Sequence, residues 1–528
     1  MNEVPQESAE RPETPRATEN RSTLPKDGAF ATYIRSSWAE HPHLAPEPRE
    51  VAPSAAARRD RLSALHAGRR LVIPAGPARV RSNDTDYAYR AHSAFAWLTG
   101  WGSDTVPGSI LVLEPTADGH DATLYLREAA GRDSDEFYAN PEIGEFWVGP
   151  RPTLDDVAAE LGLATGSLRT FLAAGFEALD WATPSAVVRD ADRALTARID
   201  ASRQVASTRI RLDQFAGDEG VGASDAVEAS LSDLAAAEEA DAALARDLSE
   251  LRLVKDAYEI AELRAAVAAT KIGFDDVIAD LPQVIAHPRG ERVVEGTFNR
   301  RARMDGNAVG YDTIAASGPH ACILHWTRND GAVVPGDLIL IDAGIELDSC
   351  YTADITRTLP VSGRFTEVQR KVYEAVREAA DAAFAIVRPG IVFREVHAEA
   401  MRVIAAKTAE WGFLPVSAEE SLASGQHYRR YMVHGTSHHL GLDVHDCAAA
   451  RREFYADGTV EEGMVFTIEP GLYFQPDDLT VPEEFRGIGV RIEDDVLVTA
   501  NGAERLSAGI PRTADEVERW IEGMGAAV

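Results

Sequence analysis

Apolar and polar positions recur with different periods along this chain, and each change of period marks an element. Residues 55–66 predict a helix feeding the apolar run Leu71–Val–Ile–Pro74. Onward to about Glu177, the apolar runs 109–113 and 123–126 read as strands and 154–161 as a helix. Such alternation predicts an α/β domain. Phe95–Ala–Trp–Leu–Thr–Gly100 ends on a turn; its Trp97 reads as core, with presentation to a partner or cleft the alternative. Residues 222–250 are rich in Ala and acid, with Leu231, Leu234, Leu244 and Leu248 at helical spacings, so a long helix is expected to close the first domain. A new unit then starts with the capping-box pattern Asp256–Ala–Tyr–Glu259, followed by Ile260, Leu263, Val267 and Phe274 along one helical stripe. Further helices are predicted over 366–387 and 396–411, and strands at 337–341, 465–468 and 490–498. Helices flanking antiparallel-looking strands predict α+β here.

Length and composition extend this picture. A chain of 528 residues is expected to form two or three domains. The first 30 or so residues are rich in Pro, Glu, Ser, Thr and Arg with almost no large apolar side chains, too little to offset chain entropy, so 1–45 is expected to be a disordered or loosely ordered tail. Residues 46–250 then form the first domain and 251–528 the second. The 85 acidic and 53 basic residues leave a net charge of −32, which repels phosphate backbones and anionic lipid, so neither nucleic acid nor membrane is an expected partner. An acidic field suits a metal ion or a substrate with a free ammonium group. The three cysteines show no paired spacing, the N-terminal stretch has no apolar leader run, and no stretch approaches a membrane span. A cytoplasmic location is expected.

Candidate chemistry gathers around His434–Gly–Thr–Ser–His438–His439–Leu–Gly–Leu–Asp–Val–His445–Asp446. It puts four of the 14 histidines into twelve positions, while Gly435, Gly441 and Val444 argue against a continuous helix. A helix-end loop whose histidines satisfy one another is the plain reading. The flanking strands change it. Val334–Pro–Gly336–Asp–Leu–Ile–Leu–Ile–Asp342–Ala–Gly344 can be laid on Glu461–Glu–Gly463–Met–Val–Phe–Thr–Ile–Glu469–Pro–Gly471, placing Asp342 on Glu469; Asp354 and Glu493 each lie nine residues before a glycine. A carboxylate leaving water must be paired, neutralised or bound to metal. Four of them at the ends of apolar strands, joined by a histidine-rich loop, suit two hard or borderline divalent ions such as Mn²⁺, with Co²⁺, Fe²⁺ or Zn²⁺ as alternatives. Two metals held about 3.5–4 Å apart can bridge a water, deprotonate it near neutral pH and polarise a carbonyl. Arg491 lies two residues before Glu493 and so on the same strand face, either orienting a ligating carboxylate or forming a surface salt bridge. Other signals fail: there is no HExxH helix, P-loop, complete GxGxxG or GxSxG elbow. Cys322 three residues from His325 is a poor case for a thiol nucleophile, and nothing marks Ser437 as reactive.

The ordered series Cys–Ile–Leu–His325–Trp, Leu–Ile–Asp342–Ala–Gly, Thr–Ala–Asp354–Ile–Thr–Arg, His434–Gly–Thr–Ser–His438, Asp–Val–His445–Asp, Thr–Ile–Glu469–Pro–Gly–Leu–Tyr473 and Gly–Val–Arg491–Ile–Glu493 resembles the pita-bread metallopeptidases. Within them it is most similar to the aminopeptidase P (Xaa-Pro aminopeptidase) family, with prolidase next. The match covers roughly 250–510; about 55–180 is similar, more loosely, to the creatinase-type N-terminal domain. The resemblance implies an α+β pita-bread catalytic domain of two pseudo-repeated halves, preceded by a smaller creatinase-type α/β domain. It also implies five metal ligands, Asp342, Asp354, His438, Glu469 and Glu493, for two divalent ions with Mn²⁺ expected. Asp354 and Glu493 would bridge both ions, Asp342 complete one site, and His438 and Glu469 the other. Glu469 would help activate the attacking water. His325, His434 and His445 would line the cleft and stabilise developing charge, with Tyr473 and Arg491 beside them. The 342–354 interval is one residue longer than usual, and His439 stands where an aromatic is common.

The expected activity is removal of the first residue from peptides with an N-terminal Xaa-Pro, by a homodimer or homotetramer. A prolidase cleaving Xaa-Pro dipeptides is the enzymatic alternative, and an inactive pita-bread binding protein the rival of another class. A metal-free creatinase-type amidinohydrolase would have no reason to keep all five ligands.

Overall fold

A computed structural model of the chain describes residues 28–39 and 46–525 except 84, 133, 142, 176–178, 180–182 and 216–222. Most of the expected tail lies outside the described residues; within 28–39 the chain forms a helix, Gly28–Ile34. Two compact units result. Among the described residues the first comprises those up to 56, 67–95 and 105–238, the second 57–66, 96–104 and those from 239 on, so the division falls inside the long helix Ala223–Leu251.

The first unit is built on a five-stranded sheet. Its strands run Ala164–Ser167, His120–Leu126, Ile110–Pro115, Arg70–Pro74 and Ser185–Val187 in spatial order. The two outer pairs are parallel and the inner pairs antiparallel. Arg70–Pro74 is buried along its whole length, which is why it reads as one continuous apolar run rather than an alternation.

The second unit repeats one arrangement: two helices, then a hairpin. Ala257–Ala279 and Gly290–Asp305 precede strands Leu338–Ala343 and Ile355–Pro360; Glu367–Ile386 and Arg394–Glu410 precede Val465–Ile468 and Asp494–Thr499. The helix starts are encoded locally. Asp256 accepts from the Glu259 amide while Glu259 reaches back, and Thr366 with Gln369 does the same. Leu263, Val267 and Phe274 are buried, as their spacing predicts. Trp97 is also buried, its Nε1 donating to Glu259 Oε1 at 3.2 Å, so it serves the core of this unit and not a partner.

The hairpin registers correct two expectations. Segment 490–498 is two strands, Gly489–Arg491 and Asp494–Thr499. Ile468 pairs with Asp494 and Gly471 with Arg491, so one register runs through the gap and Glu469 faces Glu493. The ladder breaks there because Pro470 has no N–H to give to the strand opposite; the Glu493 amide lies on the other edge of its strand and donates to Thr356 O at 3.1 Å. In the first hairpin Asp342 pairs with Thr356. Thr356, not Asp354, therefore holds the place equivalent to Glu493. The offset of two leaves Asp354 on the same face, since side chains alternate with period two. The long 342–354 connection closes on itself: Leu347 N donates to Tyr351 O at 2.9 Å and Cys350 takes a left-handed φ of 70°.

Candidate metal and peptide site

The ends of these two hairpins and the histidine-rich loop enclose a cavity of about 790 Å³. His325, His434, His438, His445, Asp342, Asp354, Glu469, Glu493 and Arg491 line it; Tyr473 is not among the lining residues but its hydroxyl meets two of them, His434 and Arg491. His438 Nε2 is 3.2 Å from Asp354 Oδ2, 3.6 Å from Glu469 Oε1 and 3.9 Å from Glu493 Oε1. One donor atom each from Asp354, His438 and Glu493 fits within 4.8 Å. Asp342 joins through Tyr311, whose hydroxyl contacts Asp342 Oδ1 at 2.7 Å and also Asp354 Oδ1. Tyr311 carried no sequence signal. It arrives because Asp342 pairs with Ile314, three residues further along the same chain segment.

Collecting carboxylates in a buried space has an electrostatic consequence. Burial pushes Glu469 up to about 8, despite the opposing charges of His438 and Arg491. Burial, then the charges of Asp354 and Glu469, drive Glu493 well above the usual carboxylate range, and burial also raises Asp342. Burial alone would lower His438, but its hydrogen bond to Asp354 and the Glu469 charge lift it to about 9. Glu493 Oε1 is buried with no hydrogen-bond partner among the described residues. Oxygen donors that repel one another, one of them orphaned, together with one imidazole, fit a divalent cation pair.

Around this group the side chains are oriented by further polar contacts. Arg491 is buried and donates through Nη2 to Asp342 Oδ2 at 2.5 Å, through Nε to Thr356 Oγ1 at 3.2 Å and through Nη1 to the Tyr473 hydroxyl at 3.1 Å. The surface salt bridge is thereby replaced by a buried one. Tyr473 OH also meets His434 Nε2 at 2.8 Å. Burial and then the Arg491 charge lower His434 to about 3, so its imidazole is neutral at physiological pH. Thr436 N and Oγ1 both engage His397 Nδ1, at 3.3 and 3.2 Å, which ties the loop to the helix Arg394–Glu410; neither residue stood out in the sequence. His445 is exposed at the rim, its ring edge-on to His438 at 4.4 Å. His325 is exposed on the opposite chain segment.

His439 does not join them. It is fully buried and stacks on Phe393 at 4.6 Å, with both ring nitrogens lacking hydrogen-bond partners among the described residues. Burial lowers it to about 3, so it packs as a neutral aromatic ring. Cys322 is also inert: its buried thiol is pushed up to about 12 and points to Phe474 O. Ser437 Oγ donates to Thr436 O at 2.6 Å.

Residues 261–500 match the metallopeptidase family M24, and residues 55–172 match the aminopeptidase P N-terminal domain. Xaa-Pro aminopeptidase 1 of Streptomyces coelicolor is 47% identical over 97% of this chain and 97% of its own length. The chain belongs to the aminopeptidase P family. Xaa-Pro aminopeptidase 2 of the same organism is 48% identical over 93% of this chain and 96% of its own. Among solved structures, aminopeptidase PepP of Pseudomonas aeruginosa superposes with a TM-score of 0.73 at 31% identity, covering 90% of this chain and 99% of that one. Aminopeptidase P of Escherichia coli with the inhibitor Pro-Leu superposes at 0.70 and 29% identity, covering 90% and 99%. An aminopeptidase P is a metallo-exopeptidase, and the pita-bread domain behind its N-terminal domain is the α+β architecture expected from the sequence.

Proposed function

We propose that this site releases the first residue from peptides carrying proline in second position, with two divalent ions, Mn²⁺ in this reading, held by Asp342, Asp354, His438, Glu469 and Glu493. The observation that carries the proposal is the convergence of four carboxylates and His438 on one cavity, with Glu493 Oε1 lacking a hydrogen-bond partner among the described residues. Bound divalent ions supply an activated water and polarise the scissile carbonyl. The chain does the rest. Glu469 takes the proton of the attacking water on a carboxylate oxygen. His434, neutral, donates its Nδ1–H to Gly435 O at 2.6 Å and accepts the Tyr473 O–H at Nε2, fixing a polar wall beside the carbonyl as charge develops, with His325 and His445 on the other walls. Arg491 keeps Asp342 in place.

Proline after the scissile bond leaves a tertiary amide with no N–H. Attack on the carbonyl needs no such donor, so the bond is open to this chemistry. The substrate's free α-ammonium is drawn to the acidic cavity, which anchors the first residue and sets the second at the cut. The reading includes a homodimer or homotetramer, after the family resemblance, in the cytoplasm, where three buried cysteines with no paired spacing are at home. No helix among the described residues is long and apolar enough to cross a membrane.

Product analysis on Ala-Pro, Ala-Pro-Ala and N-acetyl-Ala-Pro-Ala tests the proposal. Free alanine should be released from the unblocked tripeptide and not from the acetylated one. Cleavage confined to the dipeptide would make the chain a prolidase; cleavage of none of them, with metals bound, would make it a binding protein.

A further inference from the structure

Glu291 lies in the first turn of the helix Gly290–Asp305, and its side chain is wholly buried. A buried carboxylate is costly unless its oxygens find donors. Here each oxygen has two. Oε1 accepts from Ser317 N at 2.8 Å and lies 2.7 Å from His320 Nδ1. Oε2 accepts from Trp326 Nε1 at 2.9 Å and Gly331 N at 2.6 Å. All four groups belong to the segment 317–331, which leaves the strand Ile314–Ser317 and carries Leu324, His325 and Thr327 into the cavity wall.

The segment is folded tightly around this carboxylate. The His320 and Trp326 rings stack at 3.9 Å and 25°. A Cβ on Gly331 would fall 2.7 Å from His320 Cε1 and 2.8 Å from Glu291 Oε2, so a side chain there would have to displace this contact. At the base, Asn329 is buried, accepting from Ala315 N at 2.9 Å and donating to Thr313 O at 2.8 Å. His325 is exposed and adjoins Trp326, the ring that Glu291 holds. An exposed histidine on a loop would otherwise sample many placements at the cavity wall.

We infer that Glu291 is a positioning residue for peptide hydrolysis, holding His325 at the cavity wall through Trp326 and His320. This rests on the reading that His325 serves the reaction there. Misplacing a reacting group by about 1 Å can cost ~10²-fold in rate. Glu291→Gln is a sharp probe, because one acceptor oxygen becomes an NH₂ that faces other donors.

The test is a double-mutant cycle on the metal-loaded full chain with Ala-Pro-Ala, comparing wild type, Glu291→Gln, His325→Ala and the double variant. Metal content is measured beside kcat and KM. Glu291→Gln should lower kcat/KM on the order of 10- to 100-fold with metal content unchanged. In the His325→Ala background the same substitution should change kcat/KM by less than about twofold, as expected when two residues act as one unit. Trp326→Phe, which removes one donor and keeps the ring, should lose less, and that loss should also vanish without His325; it decides the matter if Glu291→Gln does not fold. Equal losses with and without His325, or loss of metal, would overturn the inference while leaving the proposed activity standing. A wild-type chain that does not cleave the tripeptide would overturn both.

Discussion

Asp354→Ala is expected to remove bound metal and turnover together. Asp354 is the carboxylate at the crowded centre of the cavity: Oδ2 faces His438 at 3.2 Å, Oδ1 meets the Tyr311 hydroxyl, and the backbone amide is pinned by Asp495 Oδ2 at 3.2 Å. The alanine variant keeps that backbone bond, so the loop should stay in place while the shared ligand disappears. Losing a partner outside the ligand shell typically costs ~10–100-fold in metal affinity or activity. A ligand proposed to serve both ions should exceed that. Elemental analysis of the purified variant should show depletion of both ions, and undiminished content would remove Asp354 from the ligand set.

Two histidines four residues apart are expected to fail in different ways. His438→Ala should lose metal, because its Nε2 lies within 4 Å of three carboxylates. His434→Ala should keep metal and lose rate by ~10²–10³-fold, the usual cost of removing one preorganised charge stabiliser. The difference follows from their partners. His434 spends Nε2 on the Tyr473 hydroxyl and Nδ1 on Gly435 O, and its nearest carboxylate, Glu469 Oε2, is 3.6 Å away. Metal analysis and kinetics on both variants check it; the reverse pattern would exchange their roles.

Much of the fold is legible in the chain because its signals are local. The Asp256–Glu259 and Thr366–Gln369 capping boxes set their helices within single turns, and the buried strand Arg70–Pro74 announces itself as an unbroken apolar run. The division of Gly489–Thr499 was not legible, because its apolar pattern continues through the break and the cause, Pro470, lies across the hairpin. The candidate site follows the same rule. The carboxylates were readable as acids at strand ends, yet nothing local separates His438 from His439, since an irregular loop has no period to say which ring faces inward. The resemblance to relatives chose His438; packing of His439 on Phe393 supplies the physical reason that ring goes elsewhere. Tyr311, Thr356 and Glu291 were invisible because their significance comes from partners 26 or more residues away, across sheet pairings or a helix start.

By this proposal five side chains of one cavity hold two ions that make this chain an aminopeptidase. The most direct test is to strip the protein with a chelator, add Mn²⁺ back in measured equivalents and follow release of alanine from Ala-Pro-Ala. Activity should vanish on stripping and return to a plateau at two equivalents per chain, whereas full turnover in the metal-free protein would contradict the account.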